Sequence, residues 1–311
     1  MTQPTNARLG LAYVAVVLIW ATTPLGIQWS GEQGGFLFGV TARMLIGALL
    51  ALPVLWLLGQ KLSFAPRALL AYAAGSLAIF VGMLGTYWAA QYLDSGMVSV
   101  LFGTAPLFTS LLAAWVLGER SLNAFWLGGL LLAFVGLGLI FHEQLNLQGI
   151  GGWAVLVMLW SAFIHGLSTV LVKKVNAPIS GSVTSVGALW VAAMLYLLLW
   201  LTVTPMQGWW PTQIGVRAWG AIAYLAVFGS VFGFMLFFFA LRHLSASLMG
   251  LITLLAPVLA LWLGWWFEGE VLSRAALLGT ALVLGGLAWA QWGEVLVRFG
   301  LRRLRKNKSL A

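Results

Sequence analysis

The chain has 311 residues, of which 62% are hydrophobic and only 7% carry a charge, and its mean hydropathy is +0.99. Soluble domains carry about 25% charged residues, so this composition excludes an ordinary water-soluble protein and indicates a chain that folds in lipid. The absence of cysteine excludes disulfides and thiolate metal sites.

Charge-free apolar runs follow one another along the chain, each long enough to cross a bilayer as a helix. In lipid the backbone must satisfy its own hydrogen bonds, and the runs lack the short alternating pattern of barrel strands. The predicted fold is therefore an all-α membrane protein with ten transmembrane helices. In chain order the runs are 9–31, 36–58, 68–93, 95–118, 121–142, 144–172, 181–203, 218–241, 243–267 and 275–293, the second of which contains Arg43.

Orientation follows from the basic residues. Thirteen of the 16 Lys and Arg lie on the side of the two termini, whereas Arg217 and Arg274 lie on the other side and Arg43 lies within a span. Short basic loops stay cytoplasmic, which predicts a multi-pass protein of the plasma membrane, the inner membrane in a bacterium, with cytoplasmic N- and C-termini. The net charge of +9 reflects this bias and a basic cytoplasmic tail, 298–311, which can contact anionic lipid.

The chain contains an internal repeat. Residues 82–128 match residues 233–279 without a gap at a shift of 151 positions, and farther upstream the shift falls to about 140, where Trp20 meets Trp160. We predict two five-helix repeats, 9–141 and 149–292. Five is an odd number, so the second repeat enters the membrane from the opposite side, and inverted repeats are typical of secondary transporters with a substrate site near the midplane.

The frame "APLFTSLLAAWVLGE", 105–119, returns as "APVLALWLGWWFEGE", 256–270. With the Trp in the first helix, the Arg in the second and the Gly-rich helix after each frame, the chain resembles the EamA family of the drug/metabolite transporter superfamily. The resemblance covers about 9–292. It implies ten helices around a central cavity, the fifth and tenth at the periphery, and alternating access that mostly exports small metabolites, amino acids among them.

Pro106 and Pro257 are related by the repeat and are predicted to interrupt the fourth and ninth helices. Proline removes a backbone donor and kinks or opens a helix. The interpretation as a hinge that also exposes backbone to a substrate competes with that of a packing kink, which membrane helices tolerate.

Glu119 and Glu270 end the two frames and should face opposite compartments. Each precedes a serine, Ser121 or Ser273, that can cap the following helix, and a carboxylate is favourable at a helix N-terminus. A structural role at the helix end is one interpretation; a gate charge or proton site at each mouth is the other.

Two polar side chains lie within spans. Arg43 is the intramembrane charge, costly in lipid, and we expect it to snorkel, to bind carbonyls or to meet a substrate carboxylate. His165 shares a helical face with Ser161 and Ser168. It is interpreted either as a neutral side chain bonded to a neighbouring hydroxyl or as a proton relay or substrate ligand.

The chain holds 18 Trp, 18 Phe and 6 Tyr, some of them expected as interfacial anchors. Aromatic walls with a few hydroxyls suit small zwitterions or uncharged amphiphiles, whereas a phosphate carrier would need more intramembrane cations. The candidate cavity residues are Trp20, Thr23, Tyr87, Trp88, Phe102, Trp160, Phe163 and His165.

The predicted function is alternating-access export of a small organic metabolite such as an amino acid, with a drug or sugar-type carrier and a non-transporting scaffold or assembly factor as alternatives. Enzyme chemistry is disfavoured because the charge-free spans hold no Asp or Glu and the three His show no ligand spacing. We therefore expect no catalytic residue, cofactor or metal. The expected partners are substrate and lipid, and not nucleic acid, which would need a basic patch with exposed aromatics; a homodimer stays open.

Overall fold

The computed structural model describes residues 6–118, 123–146, 149–203, 213–236, 246–271 and 273–308. All regular secondary structure in these ranges is helical, in agreement with the predicted all-α fold class. Seven of the described helical segments are long and apolar enough to cross a membrane, and the shorter apolar helices are Ala124–Leu139, Leu255–Glu268 and Leu277–Ala290.

The first half of the chain begins with a long helix and contains two spans built from more than one segment. Its elements are α1 (Asn6–Ser30), α2 (Phe36–Leu57), α3 (Pro66–Leu77), a first π-helical segment (Ala78–Gly82), α4 (Met83–Ala89), α5 (Ser95–Phe102), α6 (Ala105–Leu117) and α7 (Ala124–Asn146). The first π segment joins α3 and α4 into the apolar span Pro66–Ala89.

The second half also begins with two long helices followed by a span that contains a π segment, but its next helix is continuous. Its elements are α8 (Ile150–Val175), α9 (Gly181–Val203), α10 (Val216–Tyr224), a second π segment (Leu225–Phe232), α11 (Ala246–Glu268) and α12 (Arg274–Lys308). The predicted seventh helix, 181–203, has the bounds of α9. The backbone stays helical from α12 into the predicted basic tail as far as Lys308.

The two π segments occupy related places in the repeat. The first, Ala78–Gly82, becomes 229–233 when it is moved by 151 positions, and this range overlaps the second segment, Leu225–Phe232. A π segment widens the helix and changes its hydrogen-bonding pattern, and such segments are frequent at functional sites.

The helices of the two halves are interleaved in two groups. In the first helix group α1 packs on α10, the second π segment and α11, and α2 packs on α10 and the second π segment. In the second helix group α8 packs on α3, the first π segment, α4, α5 and α6, and α9 packs on α3 and the first π segment. The groups meet where α2 contacts α9 and α4 and where α5 contacts α11 and α1. Each group thus combines helices from both halves of the chain.

Helices α7 and α12 pack mainly on each other, through close backbone contacts. A Cβ atom on Gly129 would lie 2.6 Å from the Ala290 nitrogen, and one on Gly286 would lie 2.7 Å from the Ala133 nitrogen. Small residues allow such close packing in lipid, where dispersion rather than the hydrophobic effect drives helix association. These glycines therefore bind the fifth helix of the chain to its last one.

Candidate substrate pathway and gate residues

The fourth span is interrupted at Gly103 and Thr104, where α5 ends and α6 begins. The Thr104 hydroxyl donates to the Leu101 carbonyl at 2.6 Å. The backbone carbonyl of Thr104 accepts from the Leu107 amide at 2.9 Å. Pro106 lies in the first turn of α6, where its missing N–H has no intrahelical acceptor. The proline predicted to kink or open the span thus lies where the helix is divided in two.

The helix that contains Pro257 is not interrupted, unlike the span that contains its repeat partner Pro106. Pro257 lies inside α11, which runs without interruption from Ala246 to Glu268. The sequence predicted equivalent interruptions at Pro106 and Pro257. The structure instead has one divided span and one continuous span, so the two halves have different conformations at the related prolines.

Aromatic side chains connect the divided span with α8. The rings of Phe102 and His165 meet edge to face, with centroids 5.1 Å apart. Phe108 makes the same kind of contact with Phe163 at 5.9 Å, and Phe163 stacks on Trp160 at 5.4 Å. Four residues that the sequence proposed for the cavity, Phe102, Trp160, Phe163 and His165, therefore lie where α8 contacts α5 and α6, in two separate ring contacts, and they are called the aromatic row of α8, or α8 row. Trp160 is 54% exposed.

A close backbone contact positions this row. Gly166 follows His165 in α8, and a Cβ atom on it would lie 2.9 Å from the Thr109 nitrogen of α6. A larger residue would separate the two helices, so the glycine sets the distance between α8 and α6 next to His165.

The expected hydroxyl partners of His165 bond elsewhere. The Ser161 hydroxyl donates to the Val157 carbonyl at 2.9 Å, and the Ser168 hydroxyl donates to the Ala74 carbonyl at 2.7 Å. Both hydroxyls thus donate to backbone carbonyls, and the interpretation of His165 as an imidazole bonded to a neighbouring hydroxyl stays a prediction. Within the described residues, the side-chain partner of His165 is the Phe102 ring.

Arg43 is almost fully buried, 1% exposed, and bonds to neutral groups. Its Nε donates to the Ser230 hydroxyl at 3.0 Å, and its Nη1 donates to the Tyr87 hydroxyl at 3.4 Å. Gly229 leaves room for the guanidinium, since a Cβ atom there would lie 2.9 Å from Nη2. Of the expected roles, snorkelling does not fit this buried position. The residue connects α2 to the second π segment and to α4.

The other cavity candidates are distributed more widely. Trp20 packs on the buried pair Val16 and Val17 of α1, the same pair on which Leu236 and Leu259 of the second half pack. Thr23 donates its hydroxyl to the Ile19 carbonyl at 2.7 Å within α1. Neither residue contacts the aromatic row of α8 in the part of the chain that the structure describes.

Tyr87 and Trp88 lie side by side in α4 but have different surroundings. Tyr87 is buried beside Arg43, whereas Trp88 is half-buried and packs on Tyr92 with ring centroids 5.1 Å apart. These two candidates therefore belong to the Arg43 contact and to the end of the third span, respectively, rather than to the α8 row.

Sequence reasoning missed a tyrosine that binds the first π segment. Tyr196 of α9 is buried and donates to the carbonyls of Ile79 and Phe80, at 3.0 and 2.8 Å. It thus parallels Arg43, which reaches the second π segment from α2. A hydroxyl-bearing aromatic in the middle of an otherwise apolar span was the available signal, since a buried tyrosine hydroxyl usually finds a partner.

Glu270 contacts α5 and not the helix that follows it. Its Oε1 accepts the Ser95 amide at 2.8 Å, and its Oε2 accepts the Gly96 amide at 3.3 Å. Gly269, with φ of +66°, turns the chain back so that the Glu270 amide donates to the Gly264 carbonyl at 3.3 Å. The expected favourable placement at a helix N-terminus is present, but the helix belongs to the other half of the chain. The sequence analysis singled out Glu270 but did not predict that it contacts the start of α5.

The local alternative at this helix start is Asp94. It occupies the N-cap position of α5, yet its side chain makes no capping hydrogen bond. Burial raises the pKa of the Asp94 carboxyl above its ordinary value of 3.8, and the nearby Glu270 charge raises the pKa further. Glu119, the repeat partner of Glu270, lies outside the described residues, as does Ser121.

A second polar cluster at the same end of the bundle was also missed. Arg217 forms ion pairs with Glu268 and, at 3.5 Å, with Glu32, and its guanidinium lies 4.5 Å from the centre of the Trp29 ring. The Trp29 indole N–H donates to Glu268 at 2.8 Å. Every member of this cluster belongs to the first helix group or to a loop at its end.

Comparison with known proteins gives this architecture a family. The model of the EamA-like transporter family matches residues 9–142 and 152–291. A solved crystal structure with 22% sequence identity superimposes with a TM-score of 0.64 and covers 91% of this chain and 96% of its own, which shows the fold.

Curated relatives span nearly the whole chain. An uncharacterized transporter of Synechocystis sp. is 28% identical over 90% of this chain and 88% of its own length. The uncharacterized inner membrane transporter YedA of Escherichia coli K12 is 25% identical over 92% and 91%. A probable terminal-alkyne amino-acid exporter of Streptantibioticus cattleyicolor is 27% identical over 89% and 91%. The chain is a multi-pass bacterial inner-membrane protein that belongs to the EamA-like transporter family and not to a family of enzymes.

Proposed function

We propose that the protein exports a small organic metabolite, an amino acid or a related amphiphile, by alternating access between two inverted five-helix repeats. The observation that carries the proposal is the divided fourth span, packed through Phe102 against His165 and the aromatic row of α8. Its repeat partner α11 is continuous, and such a difference between related elements is expected when one end of a pathway is closed and the other open.

The chemistry of the described spans favours a zwitterion or an uncharged amphiphile. The α8 row offers apolar ring faces and one imidazole, and Arg43, the charge within the spans, already bonds to Ser230 and Tyr87. Phosphorylated substrates would need further cations. The named function of the Streptantibioticus relative also supports an amino-acid-like substrate.

The interleaved helix groups supply a mechanism for movement. Each group contains helices from both halves, and the groups meet through α2 with α9 and through α5 with α11. Rocking of one group against the other would open one end of the α5–α11 contact region while the opposite end closes, as in alternating access between related repeats.

Efflux from liposomes tests this function. Purified protein would be reconstituted with a panel of labelled amino acids, sugars and cationic drugs inside, and efflux would be followed with and without a pH gradient. We expect saturable efflux of at least one amino acid, reduced by Phe102→Ala, whereas Gly138→Ala, at a helix position with open space around it, should transport normally. Efflux confined to sugars or drugs would replace the substrate class, and no flux of any compound would favour the scaffold.

The same assay tests coupling. A response to the pH gradient that disappears in His165→Ala, with efflux down the concentration gradient retained, would identify the imidazole as the proton site. If the wild-type protein shows equal efflux with and without the pH gradient, the result would indicate facilitated diffusion.

A further inference from the structure

Close contacts join the two helix groups at the end where α5 begins and α11 finishes, here called the Glu270 face. Gly96 of α5 lies against α11 so closely that a Cβ atom on it would be 3.0 Å from the Leu261 Cα. The Gln28 side chain of α1 donates to the Leu93 carbonyl just before α5, at 2.8 Å. At the other end of the divided span α6 instead packs on α8. The first helix group therefore contacts the divided span at its Glu270 end.

The contact is completed by Glu270, which reaches from the end of the first helix group to the second. Its carboxylate accepts the amides of Ser95 and Gly96, which begin α5 and have no acceptor within that helix. A charged acceptor makes such bonds stronger than a neutral one. The fit is specific, because a Cβ atom on Gly264 would lie 2.7 Å from the Glu270 Cδ and 2.8 Å from the Ser95 Oγ.

The residue that normally caps such a helix is present but not used. Asp94 is at the N-cap position, where an aspartate side chain usually accepts the first amides, yet it makes no capping bond while Glu270 takes those amides. Two carboxylates thus compete for one pair of donors. Asp94 lies on the same helix group as the donors, and Glu270 lies on the opposite group.

We propose that this end of the pathway opens by an exchange of caps: Glu270 holds α5 in the closed state, and Asp94 takes over the same amides when α11 moves away. The exchange leaves the amides bonded in both states, so the gate can open without exposing unpaired donors. The inference rests on the proposed alternating-access function. It adds two positioning residues that act through α5: Glu270 stabilises the closed state and Asp94 stabilises the open state.

Ser95 provides a reporter of the gate. Its hydroxyl is buried beside Gly264 with no hydrogen-bond partner among the described residues, so Ser95→Cys removes no hydrogen bond and keeps the amide that Glu270 binds. The chain has no cysteine, and the new thiol would be the single target of a membrane-impermeant maleimide. Labelling of Ser95→Cys in proteoliposomes would measure opening directly.

Three substitutions in this background test the exchange. Glu270→Gln replaces a charged hydrogen-bond acceptor with a neutral one and should speed labelling of Ser95→Cys by about tenfold. Gly264→Ala should have the same effect, because its methyl group would displace the Glu270 carboxylate without removing its charge. Asp94→Ala removes the competing cap and should slow labelling below that of the Ser95→Cys parent. Glu268→Gln is the matched control, two positions away with its contacts inside the first helix group, and should leave labelling unchanged.

The results separate the gate from transport. Unchanged labelling in Glu270→Gln and Gly264→Ala, an equal increase in Glu268→Gln, or faster labelling in Asp94→Ala would each overturn the cap exchange, whether or not the parent transports. Labelling that follows the expected order in a protein without flux for any compound would support the exchange and contradict the proposed export. Each variant would first be required to elute as the parent does in gel filtration, so that an unfolded protein is not counted as an open one.

Discussion

At the residue scale, the polar groups of Arg43, His165 and Glu270 are each held by a contact between two helices. Arg43 and His165 stand out in the sequence as polar groups within spans, and Glu270 stands out because it ends a repeated frame. Their partners, Ser230, Phe102 and the start of α5, come from segments distant in the chain. Periodicity and spacing describe one helix at a time, so such contacts between helices could not be predicted from them.

The buried contacts of Arg43 predict a loss of stability when its geometry changes. Arg43→Lys keeps the charge but cannot reach Ser230 and Tyr87 through separate nitrogens, and we expect it to lower the free energy of unfolding by about 1–3 kcal/mol. Gly229→Ala, which crowds Nη2, should also destabilise the protein. Denaturation of the purified protein in detergent would measure both. A large rise in KM with unchanged stability would instead show that Arg43 contacts the substrate.

The raised pKa of Asp94 predicts a pH-dependent gate. Burial and the Glu270 charge favour its protonated form in the closed state, and a group whose pKa is higher in one state stabilises that state as the pH falls. Mild acidification of the Glu270 face, at pH values above 3.8, should therefore slow labelling of Ser95→Cys. The charged groups near this site are Glu270 on the same contact and Arg217, Glu268 and Glu32 in the neighbouring cluster. Asp94→Asn should remove the dependence, and its persistence in that variant would assign it to another group.

At the scale of elements, the helices were predictable and their interruptions only in part. Runs such as 36–58 and 181–203 match α2 and α9 closely because length and hydropathy decide a span. The π segments were not foreseen, since a π segment has no hydrophobic period of its own over so few residues. The different conformations at Pro106 and Pro257 could not be predicted either, because an internal repeat predicts the same conformation for related elements.

The Gly96 contact predicts that one methyl group can weaken the closed state. Gly96→Ala would place its Cβ 3.0 Å from the Leu261 Cα, a backbone atom that cannot move aside without α11. We expect faster maleimide labelling of Ser95→Cys in this variant and a further increase in Gly96→Val. Gly138→Ala is the control for an added methyl group with open space around it. Labelling that stays at the parent rate in Gly96→Val would show that α5 and α11 do not need this close approach.

At the scale of the whole molecule, the repeat predicted related roles for distant residues, and the structure describes one member of the most informative pair. Glu270 binds the start of α5, and the shift of 151 positions relates Glu270 to Glu119 and Ser95 to Ala246, where α11 begins. The interleaving of helices between halves was not predicted, because an internal repeat shows which segments are alike and not which of them pack together.

This relation predicts opposite effects of the two glutamates. If Glu119 acts at the start of α11 as Glu270 acts at the start of α5, Glu119→Gln should weaken closure of the opposite face and favour closure of the Glu270 face. Labelling of Ser95→Cys should then slow in Glu119→Gln and return toward the parent rate in the double variant with Glu270→Gln. Equal acceleration by the two single substitutions would contradict the symmetry.

The close pairing of α7 and α12 bears on how the chain can be divided. Gly129 and Gly286 bring the fifth and last helices into backbone contact, and the interleaved groups require helices from both halves. Two polypeptides separated between Asn146 and Ile150 would each contain one member of every such contact. Co-expressed as fragments, they should co-purify through a tag on one of them, and bulky substitution of Gly129 should abolish that complementation, as for a heterodimer whose subunits cannot complete their cores alone.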